Sequence, residues 1–299
     1  MSRILLTGAT GYIGAQFAKY LLPHHEVFAL ARTPFQTRYL SDCQDKLKWY
    51  VYDGSYASVS HAIGSCRPDL VYHLATYYTS VRGENVVPEL LQSNVVFGGY
   101  LLEAMAQYGC GKLVYTSTVT EFGRDGSYCP LTLYAATKRA FSDLAEYYVD
   151  RGLLRMVTLV LADTYGPKDA RPKILNLLKD AVSAHRKLEF TSDGEQVYDA
   201  VYIDDVLEAL HLSGERLLQC AGEAMQRYQV FALEPLSLKE TVAKFEQVNQ
   251  VVCDACWGKG RTGENGKRGP VRIYPPVPGW QAKISLDQGL QYIWRTEKG

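Results

Sequence analysis

The chain has 299 residues, of which 47% are hydrophobic, and this supplies enough apolar material for a large buried core. Its 32 basic and 32 acidic residues give a formal net charge of zero, which argues against a nucleic-acid backbone or an acidic membrane as a partner. The first apolar run ends at Gly8 and is too short for the core of a signal peptide or for a membrane span. We therefore expect a cytoplasmic protein that binds neither nucleic acid nor membrane.

Short apolar runs alternate with longer helical patterns through the first half of the chain. Strands are predicted at residues 4–6, 27–31, 47–52, 70–74, 113–117 and 156–161, and helices at 12–22, 87–108 and 134–151. Continuous apolar strands separated by helices predict a parallel sheet that is covered on both faces. The fold class is therefore α/β, with a doubly wound parallel sheet of the Rossmann type.

The regular alternation ends near Gly166. Helices are predicted at 172–184 and 204–212, another begins at Ser237, where Ser-Leu-Lys-Glu has the form of a capping box, and a short one follows Ser285. Residues 253–270 are rich in glycine and basic residues and predict a loop. We expect a Rossmann domain over 1–165 and a smaller mixed α/β domain over 166–299, with part of 195–235 returning to the first.

The seven cysteines are odd in number and irregularly spaced, which favours reduced thiols over a disulfide framework. Cys253 and Cys256 form the one suggestive pair. A zinc site needs a second such pair or histidines nearby, and the six histidines lie elsewhere in the sequence. No metal site is expected.

A glycine motif connects the first predicted strand to the first predicted helix. It contains Gly8, Gly11, Tyr12, Ile13 and Gly14. A tight turn brings backbone close to a pyrophosphate, and the free N–H groups of the helix N-terminus point at the negative charge. Glycine removes the side chains that would block this approach. The motif predicts a dinucleotide site, and the alternative is a glycine-rich turn in a fold that has lost its ligand.

The end of the second strand distinguishes NAD from NADP. An acidic residue there accepts hydrogen bonds from the ribose and repels a 2′-phosphate, whereas an arginine favours the phosphate. Arg32 follows this strand, and no acidic residue stands in that position. We predict NADP(H) in preference to NAD(H). The alternative is that Arg32 is a solvated charge or stacks on the adenine.

Tyr134 and Lys138 are four residues apart on a predicted helix and so share one face. A tyrosine hydroxyl has an ordinary pKa of about 10. A neighbouring ammonium lowers it, so that the tyrosine exchanges a proton near neutrality. Thr118, at the end of the fifth strand, can hold an oxygen on which charge develops. The alternatives are a surface Tyr–Lys pair and a hydrophilic strand end.

Taken in order, these motifs resemble the extended short-chain dehydrogenase/reductase family, in its nucleotide-sugar epimerase/dehydratase group. The resemblance covers nearly the whole chain and rests on the segments at 7–14, 53, 73–75, 116–118, 134–138, 165–167, 201–206 and 279–290. It implies that the first domain binds NAD(P), that the second binds the substrate, and that two chains pair as a homodimer through their long helices. The alternative is that the apolar faces of these helices pack within one chain.

The same resemblance assigns roles to residues of the cofactor site. Asp53, with Gly54 beside it, would hold the adenine, and Leu74 and Ala75 would line the path of the cofactor. For the chemistry, Thr118 matches the catalytic Ser/Thr of the family.

In that family pattern Tyr134 is the acid/base. Lys138 would bind the nicotinamide ribose and tune Tyr134.

Dehydratases of this group carry Thr-Asp-Glu at the end of the fifth strand. The matching positions here are Thr118, Val119 and Thr120, and Glu121 comes one place too late and is expected to point to the other side. We therefore do not expect a 4,6-dehydratase. Reduction or oxidation of a carbonyl/alcohol pair, or epimerisation by transient oxidation, remains.

Among these, the sequence favours NADPH-dependent reduction of a keto group, at C4, on a nucleotide-linked deoxy sugar. Arg32 suits NADPH, and both Phe190–Gln196 and the Tyr77-Tyr78 pair resemble the corresponding segments of deoxyhexose synthases and their reductases. The alternative is an NAD-dependent nucleotide-sugar epimerase. A more remote alternative is a non-catalytic NAD(P)-binding regulator, which would have no need of the proposed catalytic residues.

Two departures from the family concern the diphosphate of the substrate. Asp163 stands where the family commonly has Asn and would repel the phosphates, and Tyr198 stands where an Arg is common. Compensating charges are expected from Lys168, Arg171 or the basic loop that contains Lys267 and Arg268. The alternative is a substrate that is not a nucleotide sugar. Tyr77, Tyr78 and Tyr165 either line the pocket or pack in the core. The candidate substrate-binding residues are Tyr78, Thr118, Asp163 and Arg268.

Overall fold

The computed structural model describes residues 1–33, 38–81, 83–123, 125–260 and 272–295. Its strands are β1 (Arg3–Thr7), β2 (Glu26–Ala31), β3 (Lys48–Val51), β4 (Leu70–His73), β5 (Lys112–Thr118), β6 (Arg155–Leu161), β7 (Asp163–Tyr165), β8 (Leu188–Ser192), β9 (Val197–Tyr198), β10 (Ala200–Tyr202), β11 (Met225–Val230), β12 (Leu236–Ser237) and β13 (Ala255–Gly260). Its helices are α1 (Tyr12–Leu21), α2 (Tyr56–Cys66), α3 (Val86–Leu91), α4 (Phe97–Tyr108), α5 (Leu133–Asp150), α6 (Ile174–Ser183), α7 (Ile203–Leu218), α8 (Leu238–Asn249) and α9 (Leu286–Arg295). A π-helical segment, Gln92–Val96, joins α3 to α4, and short 3-10 turns form at Gln44–Lys46 and Val119–Glu121.

Within the described ranges, seven strands form one parallel sheet in the order β11-β6-β5-β4-β1-β2-β3. The chain begins in the middle at β1, runs outward to β3, and then crosses to β4 to build the other half. This reversal between β1 and β4 opens a crevice at the carboxyl ends of the strands, where open α/β sheets bind ligands. The predicted doubly wound Rossmann sheet is confirmed.

Both faces of the sheet are buried by helices. Leu5 and Leu6 are consecutive in β1 and point to opposite faces, and both are fully buried, one in each of two separate apolar clusters. Helices α1 and α7 belong to the cluster of Leu6, and α2, α4 and α5 belong to the cluster of Leu5. Burial on both sides explains why these strands are continuous apolar runs instead of alternating ones.

The rest of the chain forms small paired strands beside this sheet. β7 pairs with β10 and β8 with β13, both parallel, and β9 pairs with β12 antiparallel. β11 lies within residues 195–235 and adds to the edge of the large sheet through β6. Helix α8 begins at Ser237 with both hydrogen bonds of the predicted capping box.

Three predicted elements differ from the structure. The first part of the loop expected over 253–270 is a strand at Ala255–Gly260, because pairing with β8 and the stacking of Trp257 on Phe190, at 4.4 Å between ring centroids, stabilise it. Residues 261–270 lie outside the described residues. The helix predicted at 87–108 is interrupted by the π-helical segment. Helix α7 continues to Leu218, six residues beyond the predicted end at Leu212. No helix in the described part of the chain is both long and apolar enough to cross a bilayer.

Candidate active site

The glycine motif forms a tight turn between β1 and α1. Gly8 adopts a φ of +79°, and the N–H of Gly11 donates to its carbonyl at 3.0 Å. A Cβ on Gly8 would lie 2.6 Å from the backbone nitrogen of Ala75, and one on Gly14 would lie 2.1 Å from the oxygen of Gly8. Both positions therefore require glycine, because only a residue without a side chain lets the end of β4 and the start of α1 pack this closely against the turn.

The N-terminus of α1 is open to an anion. Gly11 occupies the N-cap position and supplies no side-chain cap, and a Cβ placed on it would approach Gly8 only to 3.4 Å. The first N–H groups of the helix are thus available for a phosphate. The side chain of Tyr12 is buried and donates its hydroxyl to the carbonyl of Pro167 at 3.0 Å, and half-buried Ile13 follows it. This cradle has the shape and polarity that a dinucleotide requires.

The residues predicted for the adenosine end lie around the ends of β2 and β3. Arg32 is exposed just after β2. Burial raises the pKa of the nearby Tyr52, and the hydrogen bond from Gln92 and the charge of Arg32 oppose this rise only in part. Asp53 is exposed, and its pKa is lowered by hydrogen bonds to its carboxylate from the Ser55 hydroxyl and from the Ser55 N–H, the latter at 2.8 Å. Gly54 follows in the left-handed region with a φ of +98°.

The turn after β4 closes against the glycine motif. The N–H of Ala75 donates to the hydroxyl of Thr7 at 3.2 Å, and Leu74 donates its own N–H to the carbonyl of Thr7. The Thr7 hydroxyl also bonds to Nδ1 of His73 at 2.8 Å. Leu74 and Ala75 therefore lie directly against Gly8 in the structure. In the sequence these residues belong to two separate motifs.

Tyr134 lies in the first turn of α5, which begins at the N-cap Thr132, whose hydroxyl accepts the N–H of Ala135 at 3.1 Å. A hydrogen bond joins the Tyr134 hydroxyl to Thr76, and the ring of Tyr78 packs edge-on at 5.0 Å between centroids. Burial raises the pKa of Tyr134 and outweighs the opposing effect of the Thr76 bond. The sequence predicted that Lys138 lowers this pKa, whereas burial raises it in the structure.

Thr118 ends β5, and its hydroxyl shares a hydrogen bond with the hydroxyl of Thr120 at 2.9 Å and accepts the Thr120 N–H. The backbone around Thr118 therefore orients the proposed oxygen-binding hydroxyl. Glu121 is buried and accepts a hydrogen bond from the hydroxyl of Ser117. Successive side chains of β5 point to opposite faces of the sheet, so Glu121, which is bonded to Ser117, lies on the face opposite Thr118, as the sequence predicted. That face is in the protein interior.

Lys138 is 2% exposed and lies one helical turn below Tyr134. Its Nζ is 4.3 Å from the centroid of the Tyr115 ring, and the Tyr115 hydroxyl donates to the Lys138 carbonyl at 3.1 Å. Burial lowers the pKa of Lys138 to about 7. A group of this kind is poised to gain or lose its charge near neutral pH.

Asn94 was missed in the sequence, and both the oxygen and the nitrogen of its amide are hydrogen-bonded near Tyr134. It is 3% exposed in the π-helical segment, accepts the Tyr77 N–H at 2.8 Å and the Thr76 hydroxyl at 3.1 Å, and donates to the Thr137 hydroxyl at 3.0 Å. It therefore ties the loop after β4 to α5. The polar run Gln92-Ser93-Asn94, followed by an apolar helical pattern, was the available signal.

Asp163 does not present an unpaired negative charge. Lys173 forms an ion pair with it, and the Tyr198 hydroxyl donates to it at 2.7 Å. The expectation that Asp163 repels a diphosphate is corrected by these partners. Lys173 lies 5.4 Å from the ring centroid of Tyr78, which places this cluster beside Tyr134.

Of the expected compensating charges, Arg171 is bonded to buried Asp169 at 2.7 Å and to the carbonyl of Thr164, so it serves the packing of its own loop. Tyr165 is 1% exposed and packs against Tyr202, which makes it a core residue. Lys267 and Arg268 lie outside the described residues.

The model of the NAD dependent epimerase/dehydratase family matches residues 4–223. A CDP-abequose synthase of Yersinia pseudotuberculosis is 28% identical over 212 residues, which cover 70% of this chain and 71% of the relative. A UDP-glucose 4-epimerase of Mycolicibacterium smegmatis is 26% identical over 228 residues, covering 71% and 73%.

Solved structures show the same fold over almost the whole chain. MoeE5 in complex with UDP-glucose and NAD superposes with a TM-score of 0.83 at 24% identity, covering 99% of this chain and 98% of that one. A UDP-glucose 4-epimerase of Thermotoga maritima with UDP-glucose gives a TM-score of 0.84 at 19% identity, with coverage of 99% and 98%. The family match spans the glycine turn, the end of β5 and the Tyr134–Lys138 helix. The protein therefore belongs to the NAD dependent epimerase/dehydratase family and is an enzyme of the extended short-chain dehydrogenase/reductase type.

Proposed function

We propose that the protein catalyses NADPH-dependent reduction of a keto group, at C4, on a nucleotide-linked deoxy sugar. The observation that carries this proposal is the end of β5, where Thr118 and Thr120 present hydrogen-bonded hydroxyls beside the Tyr134 helix. No acid and base of the dehydratase pattern stand at Val119 and Thr120. The similarity to CDP-abequose synthase supports a deoxy-sugar substrate.

The residues fit a nicotinamide dinucleotide along the crevice. The turn from Gly8 to Gly14 and the start of α1 would hold the pyrophosphate, and Asp53 with Gly54 would hold the adenosine. Leu74 and Ala75 would line the path between them, and Lys138 would bind the nicotinamide ribose. When bound, the cofactor supplies a hydride to the keto carbon.

Tyr134 would donate its hydroxyl proton to the substrate oxygen as negative charge develops there. Thr118 would hydrogen-bond to the same oxygen and stabilise that charge. Because burial raises its pKa, Tyr134 holds its proton at neutral pH, as a proton donor in a reduction must. The ion pair with Lys173 neutralises Asp163, so that its charge would not repel a diphosphate in the cleft. Asp163, Lys173 and Tyr78 are therefore proposed to border the substrate.

The test is a titration of NADPH against NADH on the protein and on Arg32→Ala, followed by a turnover assay with nucleotide-linked 4-keto-6-deoxy sugars. We expect tighter binding of NADPH, loss of that preference in Arg32→Ala, and substrate-dependent oxidation of NADPH. Equal binding of the two cofactors, or a preference for NADH, would contradict the assignment of Arg32.

The second candidate is an NAD-dependent nucleotide-sugar epimerase. The similarity to UDP-glucose 4-epimerase and the NAD present in structures of the same fold favour it. An epimerase keeps its cofactor through the cycle, whereas a reductase exchanges it at every turnover. NAD that copurifies with the protein, together with interconversion of sugar epimers without net oxidation, would establish this candidate over the reductase.

A further inference from the structure

A buried carboxylate lies beneath the proposed catalytic residues, and the mechanism above does not use it. Glu121 is 3% exposed at the end of the 3-10 turn that follows β5. Its carboxylate accepts hydrogen bonds from the Ser117 hydroxyl and from the backbone N–H of Thr118. An acid in this position is held rigidly and has little access to water.

Glu121 and Lys138 lie over the same face of β5. Tyr115 and Ser117 are two residues apart in this strand and therefore point to one side. Lys138 sits above the ring of Tyr115, and Glu121 is bonded to Ser117. Helix α5 packs against the turn that carries Glu121. A buried ammonium and a buried carboxylate thus share one interior region, where an isolated charge of either sign is unfavourable.

The other titratable groups around Lys138 carry no compensating charge. His73, from β4, is neutral because burial lowers its pKa to about 3. Tyr115, from β5, and Tyr134, from α5, remain protonated because burial raises the pKa of both. The charge of Glu121 opposes the effect of burial on the pKa of Lys138. Burial raises the pKa of Glu121 as well, and the Ser117 hydrogen bond and the charge of Lys138 oppose that rise.

Arg139 also faces Glu121, from the outer side of α5. It is ion-paired with Asp143 at 2.8 Å, so its charge is largely satisfied at the surface. Tyr128 approaches Glu121 from the loop before α5 and is half exposed. Neither residue replaces Lys138 as the buried partner of the carboxylate.

We propose that Glu121 is a positioning residue that keeps Lys138 in the ammonium form needed to bind the nicotinamide ribose, and that it thereby sets the upper pH limit of cofactor binding. The inference rests on the proposed use of a nicotinamide cofactor. It assigns to Glu121 a role that acts entirely through Lys138, without contact with substrate or cofactor.

The direction of the effect follows from the charges. Burial lowers the pKa of Lys138 to about 7, and the negative charge of Glu121 opposes this lowering. Because the ribose binds the ammonium form, affinity falls as the pH rises through this pKa. Removing the charge of Glu121 lowers the pKa of Lys138 further, so the same loss of affinity occurs at a lower pH.

The test is the dissociation constant of NADPH and of NADH, measured by fluorescence titration at pH values on both sides of neutrality. In the wild-type protein we expect affinity to fall with a midpoint near the Lys138 pKa of about 7. In Glu121→Gln the midpoint should move down by about one pH unit. Lys138→Met should bind weakly and show no such midpoint, which assigns the titration to Lys138.

Two further variants complete the experiment. Glu146→Gln makes the same chemical change on α5 at a half-exposed residue that is ion-paired with Arg227, and its midpoint should equal that of the wild type. If Glu121→Gln fails to give a cooperative thermal melt, Ser117→Ala replaces it. Loss of the Ser117 hydroxyl raises the pKa of Glu121 and removes part of its charge, so the midpoint should move down by a smaller amount.

The outcomes separate the inference from the proposed function. A wild-type midpoint that is unchanged in Glu121→Gln, or in Ser117→Ala where that variant is used, overturns the role of Glu121 and leaves the cofactor assignment intact. A midpoint that persists in Lys138→Met overturns the role of Lys138 in the titration and the inference with it. Failure of the wild type to bind either dinucleotide at any pH overturns the proposed function itself.

Discussion

At the scale of single residues, Tyr134 is controlled by burial more than by its neighbour four positions later. Its hydroxyl is bonded to Thr76, which in turn donates to Asn94, so a chain of neutral groups fixes its position. Burial disfavours the phenolate and outweighs the Thr76 bond, which lowers the pKa of Tyr134. Tyr134 therefore keeps its proton, and the positive charge of Lys138 is held by a different set of contacts.

Tyr134→Phe should lower turnover by about 10²- to 10⁴-fold, because the variant cannot donate the proton to the developing alkoxide. Binding of NADPH should change little, since the phenyl ring is retained. The measurement is the rate of NADPH oxidation with a 4-keto sugar nucleotide, alongside the NADPH dissociation constant. Tyr147→Phe, at an exposed tyrosine of the same helix, is the matched control and should leave both unchanged. Near-normal turnover in Tyr134→Phe would rule out the proposed role.

At the scale of elements, the start of α7 fastens the C-terminal part of the described chain to the Rossmann sheet. Asp205 is 2% exposed, and its carboxylate accepts the N–H groups of Lys283 at 3.0 Å and Ile284 at 3.1 Å. Its backbone carbonyl accepts the indole N–H of Trp280 at 2.8 Å. These bonds explain why two separate sequence motifs, one around Asp205 and one from Trp280 onward, occur in the same chain.

Asp205→Ala should lower the free energy of unfolding by about 3 kcal/mol, because it leaves two backbone N–H groups without their charged acceptor in a buried place. The measurement is urea unfolding followed by circular dichroism. Asp204→Ala removes the neighbouring, exposed carboxylate in the same helical turn and should cost less than about 1 kcal/mol. Equal effects of the two substitutions would show that the bonds to 283 and 284 contribute nothing specific.

At the scale of the whole molecule, α5 presents an apolar outer surface. Leu144 and Tyr147 are three residues apart and so share one face, and they are 41% and 57% exposed. Beside them, the hydroxyl of Tyr148 donates to Glu103 of α4 at 2.8 Å, which holds the two helices together as one surface. The resemblance to the family implies that two chains pair through these helices.

We expect light scattering coupled to size exclusion to give the mass of two chains. Replacing Leu144 and Tyr147 together by Glu should give the mass of one chain, because pairing would bury two carboxylates from each chain against each other in the interface. Leu177→Glu introduces a charge at an equally exposed leucine, 41%, on α6 and should leave the mass unchanged. A one-chain mass for the wild type would contradict the homodimer.

Much of the architecture could be predicted because its causes are local. The apolar runs of the parallel strands, the glycine turn at Gly8 to Gly14 and the capping box at Ser237 each depend on a few consecutive residues. The residues that each of these features requires are close together in the sequence. The doubly wound fold class could be predicted in the same way, whereas the order of the strands in the sheet comes from the structure.

The sequence by itself thus determined the sheet, the glycine turn and the candidates Thr118, Tyr134 and Lys138. Only the tertiary structure decided which groups at the site are charged, because the pKa values depend on burial and on partners that are distant in the sequence. It paired Asp163 with Lys173, placed Glu121 in the interior with Lys138, and raised the pKa of Tyr134. It also converted a glycine-rich segment into strand β13, since the partner strand β8 lies more than sixty residues earlier in the chain. Such long-range contacts leave no periodic pattern in a single sequence.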